Sequence, residues 1–323
     1  MTLVVFGIDA LDPDLVDSGT HPHLTLEAHS RIETISSSTG EPSTHELWPT
    51  IITGLRPEEH GLKLEDGVAW ESPIIRAGSK ASDYVLPDSV QTQLGALLLN
   101  RTSEDAFRTP ASYYGENGLT TLFDGRDAKT IGVPNYVVDP DTDDREHQLR
   151  RNMGELFERD PDARGGHASA DPLGFYEQCM EMAMIRTARV RRALRGREYE
   201  LVFGYTSGLD LIGHVSYDRP GLQERANGEL DEFVGELRND LEADDELVLV
   251  SDHGLQDGLH TEEAMIASTE PAIVEDVSSV LDVRGALESE LDRHDHAPVS
   301  RSDEMDVGDS REVQEHLEDL GYM

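Results

Sequence analysis

Four places in the sequence set carboxylate, imidazole or hydroxyl side chains beside an ordered element. V-V-F-G-I-D-A brings Asp9 to the end of an apolar run, and L-V-L-V-S-D-H-G brings Asp252 and His253 to the end of another. Y-T-S-G-L-D-L-I-G-H places Asp210 and His214 four residues apart just past a third run. On a helical turn that spacing puts both side chains on one face, able to share one ion. In S-T-H-E-L-W-P-T, Thr44 sits at the start of a predicted helix. Acidic and imidazole groups converging at strand ends supply the donors of a metal centre. A hydroxyl at a helix N-terminus, held by a divalent cation, loses its proton near neutral pH and becomes a nucleophile, and the same terminus binds phosphate.

Each residue also has a purely structural reading. Asp9 can be a turn former, although Asp12 or Asp14 is equally placed to cap the next helix. Asp252 can cap a turn beside a buried His253, and Asp210 with His214 can be a surface pair. Ser43 or Thr44 can be a simple N-cap. The position of the carboxylates just behind core-type runs argues for chemistry.

The positioning elements are legible from periodicity. Leu3 to Ile8, Arg31 to Ser36, Lys129 to Val133, Leu201 to Tyr205 and Leu247 to Val250 read as strands. Asp12-Pro13 is expected to open a helix, and a second helix runs from Ser43-Thr44 to Thr53, where Gly54 ends it. A long helix spans Gly174 to Arg195, and Leu230, Phe233, Val234, Leu237 and Leu241 keep helical spacing. Residues 64–125 lack a regular pattern apart from a short helix near Gln91 to Leu99, and read as a cap inserted over the active face. Residues 261–290 are mixed, 292–310 form an acidic mobile segment, and Val313 to Leu320 make a terminal helix. Alternating strands and helices imply an α/β fold, a mostly parallel central sheet with helices on both faces, in a single domain over residues 1–323.

Composition bounds the setting. The 323 residues include 66 acidic and 27 basic side chains, a net charge of −39, spread along the chain instead of gathered in a tail. Only Lys63, Lys80 and Lys129 are lysines, the other basic residues being arginine. Such a charge reads as a solvated surface adapted to high salt. It disfavours a nucleic-acid polymer or an anionic membrane as partner, but not a small anionic substrate, because bound metals reverse the local field. Cys179 is the lone cysteine, so no disulfide forms within the chain, which fits a reducing compartment. The sequence enters its first strand at Leu3 without a charged leader, and it holds no 18-residue apolar run; a cytoplasmic location is expected.

T-G-L-R-P-E-E-H-G-L (53–62), with Thr44 nine residues ahead of it, makes the chain resemble the alkaline phosphatase superfamily, most closely its type I phosphodiesterase/nucleotide pyrophosphatase branch. That branch shows a strand-end Asp, a nucleophilic Thr or Ser, T-G-x-x-P-x-x-H-G, D-x-x-x-H and S-D-H-G, and all five occur here in that order between residues 9 and 254. The ending V-Q-E-H-L-E-D-L-G-Y-M is also similar to that of sulfatase-like proteins. The resemblance implies two divalent metals, and mixed His/Asp ligands suit zinc first and manganese second. One would rest on Asp9, Thr44, Asp252 and His253, the other on Asp210, His214 and a later histidine. His260 is the choice for the last, ahead of His294 and His296. His60 is expected to be structural, orienting the loop after the Thr44 helix.

The implied activity is hydrolysis of a small phosphodiester or nucleotide pyrophosphate through a phospho-threonine. Alternatives are a phosphomonoesterase, a phosphoglycerate mutase-like enzyme, or a non-catalytic relative that binds an anion or a protein. The chain departs from the family where Thr is followed closely by Pro, leaving Ser43 and Thr50 as other nucleophile candidates. Neither the C-x-P-x-R signature of sulfatases nor a G-x-x-x-x-G-K-[ST] loop is present.

The excess of acidic side chains should make stability depend on salt. The Debye length is roughly 8 Å at about 0.15 M salt and roughly 3 Å at 1 M, so only molar salt screens neighbouring carboxylates from one another. The melting temperature should rise by several degrees between low and molar sodium chloride; a flat or falling profile would refute salt adaptation.

Overall fold

A computed structural model of the chain describes residues 1–37, 40–63, 109–138, 147–160 and 162–293. In chain order the strands are β1 (Leu3–Ile8), β2 (Ala28–Glu33), β3 (Ala128–Ile131), β4 (Glu158–Arg159), β5 (His167–Ala168), β6 (Leu201–Thr206), β7 (Glu246–Val250), β8 (Gly254–Gln256), β9 (Leu259–Thr261) and β10 (Glu263–Ser268). The helices are α1 (Pro22–Thr25), α2 (Thr44–Thr53), α3 (Pro57–His60), α4 (Ser112–Glu116), α5 (His147–Leu156), α6 (Pro172–Gly196), α7 (Gly208–Val215), α8 (Pro220–Arg238), α9 (Pro271–Glu275) and α10 (Val283–Arg293).

Unbroken apolar runs suit strands buried on both faces, and such strands build parallel sheets. L-V-V-F-G-I and L-V-F-G-Y-T are buried at every residue and become β1 and β6. The six-stranded sheet has the order β2-β10-β7-β1-β6-β3. β1 is central and pairs in parallel with both β6 and β7. β10 runs antiparallel to both β7 and β2. Successive side chains of β1 point to opposite faces. Val4, Phe6 and Ile8 join a core shared with Phe175, Val190 and Leu194 of α6 and Leu230 and Val234 of α8. Leu3 and Val5 join the opposite core with Trp48 and Ile51 of α2 and Leu287 of α10. No helix among the described residues is long and apolar enough to cross a membrane.

Helix α2 carries Thr44 and is seated by an aromatic wedge. Trp48, one turn past Thr44 on the same face, is fully buried and lies edge-on to Tyr205, with centroids 4.9 Å apart. Its ring occupies the space where a side chain on Gly7 would stand: a Cβ there would overlap the indole. The missing side chain of Gly7 therefore sets how closely α2 approaches β1. The helix starts after Ser43, which caps by position with no side-chain hydrogen bond, and it ends at Gly54, whose φ of 66° places it in the left-handed region.

His60 ties α2 to the loop beyond it. Its Nδ1 accepts the Leu62 N–H at 3.2 Å, so the proton sits on Nε2, 3.1 Å from Thr50 Oγ1, and Thr50 donates in turn to the Glu46 carbonyl. This is the structural role expected of it. Burial pushes the imidazole down to about 4.

Several expectations differ from the structure. Asp12-Pro13 opens no helix, because Asp12 spends its carboxylate on the Asp14 N–H, Gln256 Nε2 and Thr261 Oγ1, and the chain turns until α1. β2 begins at Ala28 and ends at Glu33, where its ladder with β10 ends. β10, within the stretch read as mixed, is a core strand paired along its length with β2 and over Ile266–Ser268 with β7. Residues 109–125, assigned to the inserted cap, contribute buried Tyr114, Leu122 and Phe123 to the α2-side core. Asp292 and Arg293 end α10 instead of starting a mobile segment. The expected helices at Gln91 to Leu99 and Val313 to Leu320 lie outside the described residues.

The His60 network has a pH signature. Its folded value, about 4, lies below the ordinary 6.5 of an unfolded histidine, so between these limits the unfolded chain binds the extra proton. The resulting stability is complete above pH 6.5 and drains as pH falls toward 4, at about 1.4 kcal/mol per unit. His60→Gln should be less stable than the parent at pH 7, with the gap narrowing toward pH 4 in denaturant titrations; parallel stability curves would refute the assignment.

Candidate functional site

The sheet delivers two groups of donors to its carboxyl edge. Asp9 comes directly after β1, and its N–H extends the ladder to Thr206 O at 2.9 Å, which turns the side chain into the buried end of the sheet. Tyr205 donates its hydroxyl to Asp9 Oδ2 at 2.5 Å. Asp252 and His253 lie just past β7 and are fully buried. Their turn is tied down by Ser251 Oγ donating to Leu11 O at 3.0 Å and Thr34 Oγ1 donating to Asp252 O at 2.5 Å. Thr44 Oγ1 lies 3.3 Å from both Asp9 oxygens and 3.3 Å from His253 Nε2. His253 Nε2 stands 3.4 Å from Asp9 Oδ1 and 3.5 Å from Asp252 Oδ2.

The second group joins α7 to the β8–β9 hairpin. Asp210 and His214 share a face of α7, with His214 Nε2 3.3 Å from Asp210 Oδ1. His260 on β9 brings its Nε2 to 3.4 Å from the same oxygen and 3.0 Å from His214 Nε2. The hairpin turns on Asp257 and Gly258, with φ of 52° and 80°, the backbone that an Asp-Gly pair supplies between two short strands. The two groups adjoin: the His253 and His260 rings stack with centroids 4.1 Å apart.

All three histidines are oriented alike. Nδ1 faces a backbone carbonyl in each: Gly258 O for His214 at 3.2 Å, Gly254 O for His253 at 3.1 Å and Pro42 O for His260 at 2.9 Å. A carbonyl only accepts, so Nδ1 holds a proton and Nε2 is left facing the carboxylates. This outer hydrogen bond is the usual way a metal-ligating imidazole is aimed.

Charge is crowded here. Burial, together with the Asp252 carboxylate, pushes Asp9 well above the usual carboxylate range. Burial raises Asp252 to about 6. Asp210 goes the other way: burial opposes its charge, but His214 and His260 hold it well below the usual range. Burial likewise works against a charged His260, yet Asp210 raises it to about 9. Burial and His260 lower His253.

The donors fit a cation. Both oxygens of Asp252 are buried without a hydrogen-bond donor, a costly state for a carboxylate. Asp9, Asp252 and His253 offer ligand atoms within 4.8 Å of one another, and so do Asp210, His214 and His260. Mixed carboxylate and imidazole sets suit zinc or manganese.

The structure thus gathers all seven residues singled out from the sequence into these adjoining groups. Thr50, a rival nucleophile, is buried and engaged with Glu46 and His60. His294 and His296 lie outside the described residues. Tyr205 escaped the sequence reading because a strand aromatic reads as core. The Pro42, Gly254 and Gly258 carbonyls carry no side-chain signal, although the Asp-Gly pair announces the hairpin that presents His260.

Comparison with solved structures finds similar chains of low identity, among them the following three. The PH0037 protein from Pyrococcus horikoshii superposes with a TM-score of 0.46 at 11% identity, over 92% of this chain and 98% of that one. The alkaline phosphatase from the Antarctic bacterium TAB5 gives 0.46 at 12%, over 91% and 98%. Murine ectonucleotide pyrophosphatase/phosphodiesterase 5 gives 0.40 at 16%, over 79% of this chain, which spans 57% of that one. Comparison with curated proteins finds no match. The family model for type I phosphodiesterase/nucleotide pyrophosphatase matches residues 3–270, a span that contains both donor groups. The chain belongs to the type I phosphodiesterase/nucleotide pyrophosphatase family of metal-dependent phosphoester hydrolases.

Proposed function

We propose that the protein hydrolyses a small phosphodiester or nucleotide pyrophosphate with two divalent cations, Thr44 acting as nucleophile. The observation that carries this reading is the place of Thr44 Oγ1, at the N-terminus of α2 and 3.3 Å from both Asp9 and His253. Asp9, Thr44, Asp252 and His253 hold one cation; Asp210, His214 and His260 hold the other. When bound, the cations neutralise the carboxylates, lower the pKa of the Thr44 hydroxyl and offset charge on the phosphoryl oxygens. Zinc suits the donors, and manganese is compatible with them.

The chain's own groups do the rest. The positive end of α2 faces the arriving phosphoryl group. Thr44 Oγ1 attacks phosphorus in line; its bond to phosphorus forms as the bond to the leaving oxygen breaks, and that oxygen takes up the proton Thr44 gives up. Water then opens the phospho-threonine and restores the hydroxyl. Tyr205 keeps Asp9 Oδ2 engaged, which fixes the rotation of the carboxylate under Thr44.

Two variants separate the ligand from the nucleophile. Asp252→Asn should lose about one equivalent of metal by elemental analysis and at least ~10³-fold in kcat, whereas Thr44→Ala should lose comparable turnover yet keep its metal and melt within ~1 kcal/mol of the parent. Turnover within tenfold of the parent for Thr44→Ala would refute the nucleophile, and unchanged metal in Asp252→Asn would refute the ligand set.

Bis-nitrophenyl phosphate should be hydrolysed with a higher kcat/KM than nitrophenyl phosphate, in molar salt with added zinc or manganese. A strong preference for the monoester would move the protein to the phosphomonoesterases.

A further inference from the structure

The sequence breaks its own nucleophile helix. Pro49 sits inside α2 and has no N–H, so the His45 carbonyl one turn earlier lacks its helical partner. The structure supplies a replacement from the loop after β3. Asn135 Nδ2 donates to His45 O at 2.9 Å and to His45 Nδ1 at 2.9 Å. Its amide orientation is fixed independently, because Oδ1 accepts from Thr109 Oγ1 at 3.0 Å and from the Thr109 N–H at 3.4 Å. Its own carbonyl accepts the Tyr114 hydroxyl at 2.8 Å. Asn135 is fully buried and adopts φ 57°, a left-handed conformation that asparagine tolerates better than most residues. A buried side chain with every group engaged is thus aimed at the first turn of α2, one residue past Thr44.

We propose that Asn135 is a positioning residue for Thr44, standing in for the backbone hydrogen bond that Pro49 removes. The proposal rests on the reading of Thr44 as nucleophile. Without the Asn135 amide, the first turn of α2 frays at His45, and Thr44 Oγ1 wanders from its 3.3 Å approach to Asp9. Misplacement of this kind acts on turnover rather than on binding, and a shift near 1 Å costs on the order of 100-fold.

The test uses Asn135→Gly, because glycine keeps the left-handed backbone while deleting the amide. With bis-nitrophenyl phosphate, kcat should fall about 10- to 100-fold while KM stays within about twofold and the metal content is unchanged. Adding Pro49→Ala restores an amide N–H for His45 O, so the double variant should recover to within about threefold of Pro49→Ala alone. A purely structural role for Asn135 would lower the melting temperature and leave kcat intact. An unchanged kcat in Asn135→Gly, or a loss that Pro49→Ala does not relieve, overturns the proposal. If Asn135→Gly alone does not fold, the comparison moves to the Pro49→Ala background, where equal kcat with and without Asn135 supports it and a further loss overturns it. Thr44→Ala measured alongside separates the two layers. An inactive Thr44→Ala beside an unaffected Asn135→Gly removes the positioning role alone. An active Thr44→Ala removes the nucleophile and the proposal with it.

Discussion

Three carboxylates, Asp9, Asp210 and Asp252, meet at the edge of the sheet, and the repulsion felt by the buried Asp9 and Asp252 is the constraint around which the site is built. Buried charge survives only when it is paired. Asp210 finds two imidazoles and ionises readily. Asp9 and Asp252 have two hydroxyls, those of Tyr205 and Thr44, and one reluctant imidazole between them, and both resist ionisation. A chain of net charge −39 repels anions, and a cation bound at this edge would reverse that field locally.

Around that constraint the backbone does most of the aiming. Three carbonyls orient three histidines, and the Asp257-Gly258 turn swings His260 across to α7. Gly7 yields its side-chain volume to Trp48, and Trp48 brings α2 down until Thr44 stands over Asp9. Substitution is least forgiving where side-chain volume is missing, because packed interiors have little slack.

The sequence was most legible where chemistry sat directly behind an unbroken apolar run. Asp9 behind L-V-V-F-G-I and Asp252-His253 behind L-V-L-V can be read from the runs themselves, since the polar donors follow directly where each apolar strand ends. His260 could not be reached that way. It lies on a three-residue strand, and only the order of motifs pointed to it. β10 escaped because E-A-M-I-A-S carries a single β-branched residue and opens on a charge, yet its pairing with both neighbours overrides that weak propensity. The expected helix at Asp12-Pro13 fails for the opposite reason. Local capping signals were strong, but distant Gln256 and Thr261 claim the carboxylate that was to cap it. Tertiary partners decided each miss, and those partners are remote in sequence.

The central place of β1 has a consequence for the order in which the chain is made. Leu3 and its neighbours pair only with Leu201 onward and Glu246 onward, about 200 residues downstream. At roughly 5–20 residues per second, a ribosome needs on the order of 10–40 s to deliver the first of those partners. Throughout that interval an apolar strand, six residues long and destined for the middle of the sheet, waits without a mate. Long-range parallel pairing folds slowly for this reason and leaves sticky edges exposed meanwhile. The acidic residues scattered through the intervening chain keep the waiting polymer apart from its copies, so the charge that burdens the finished protein protects the unfinished one.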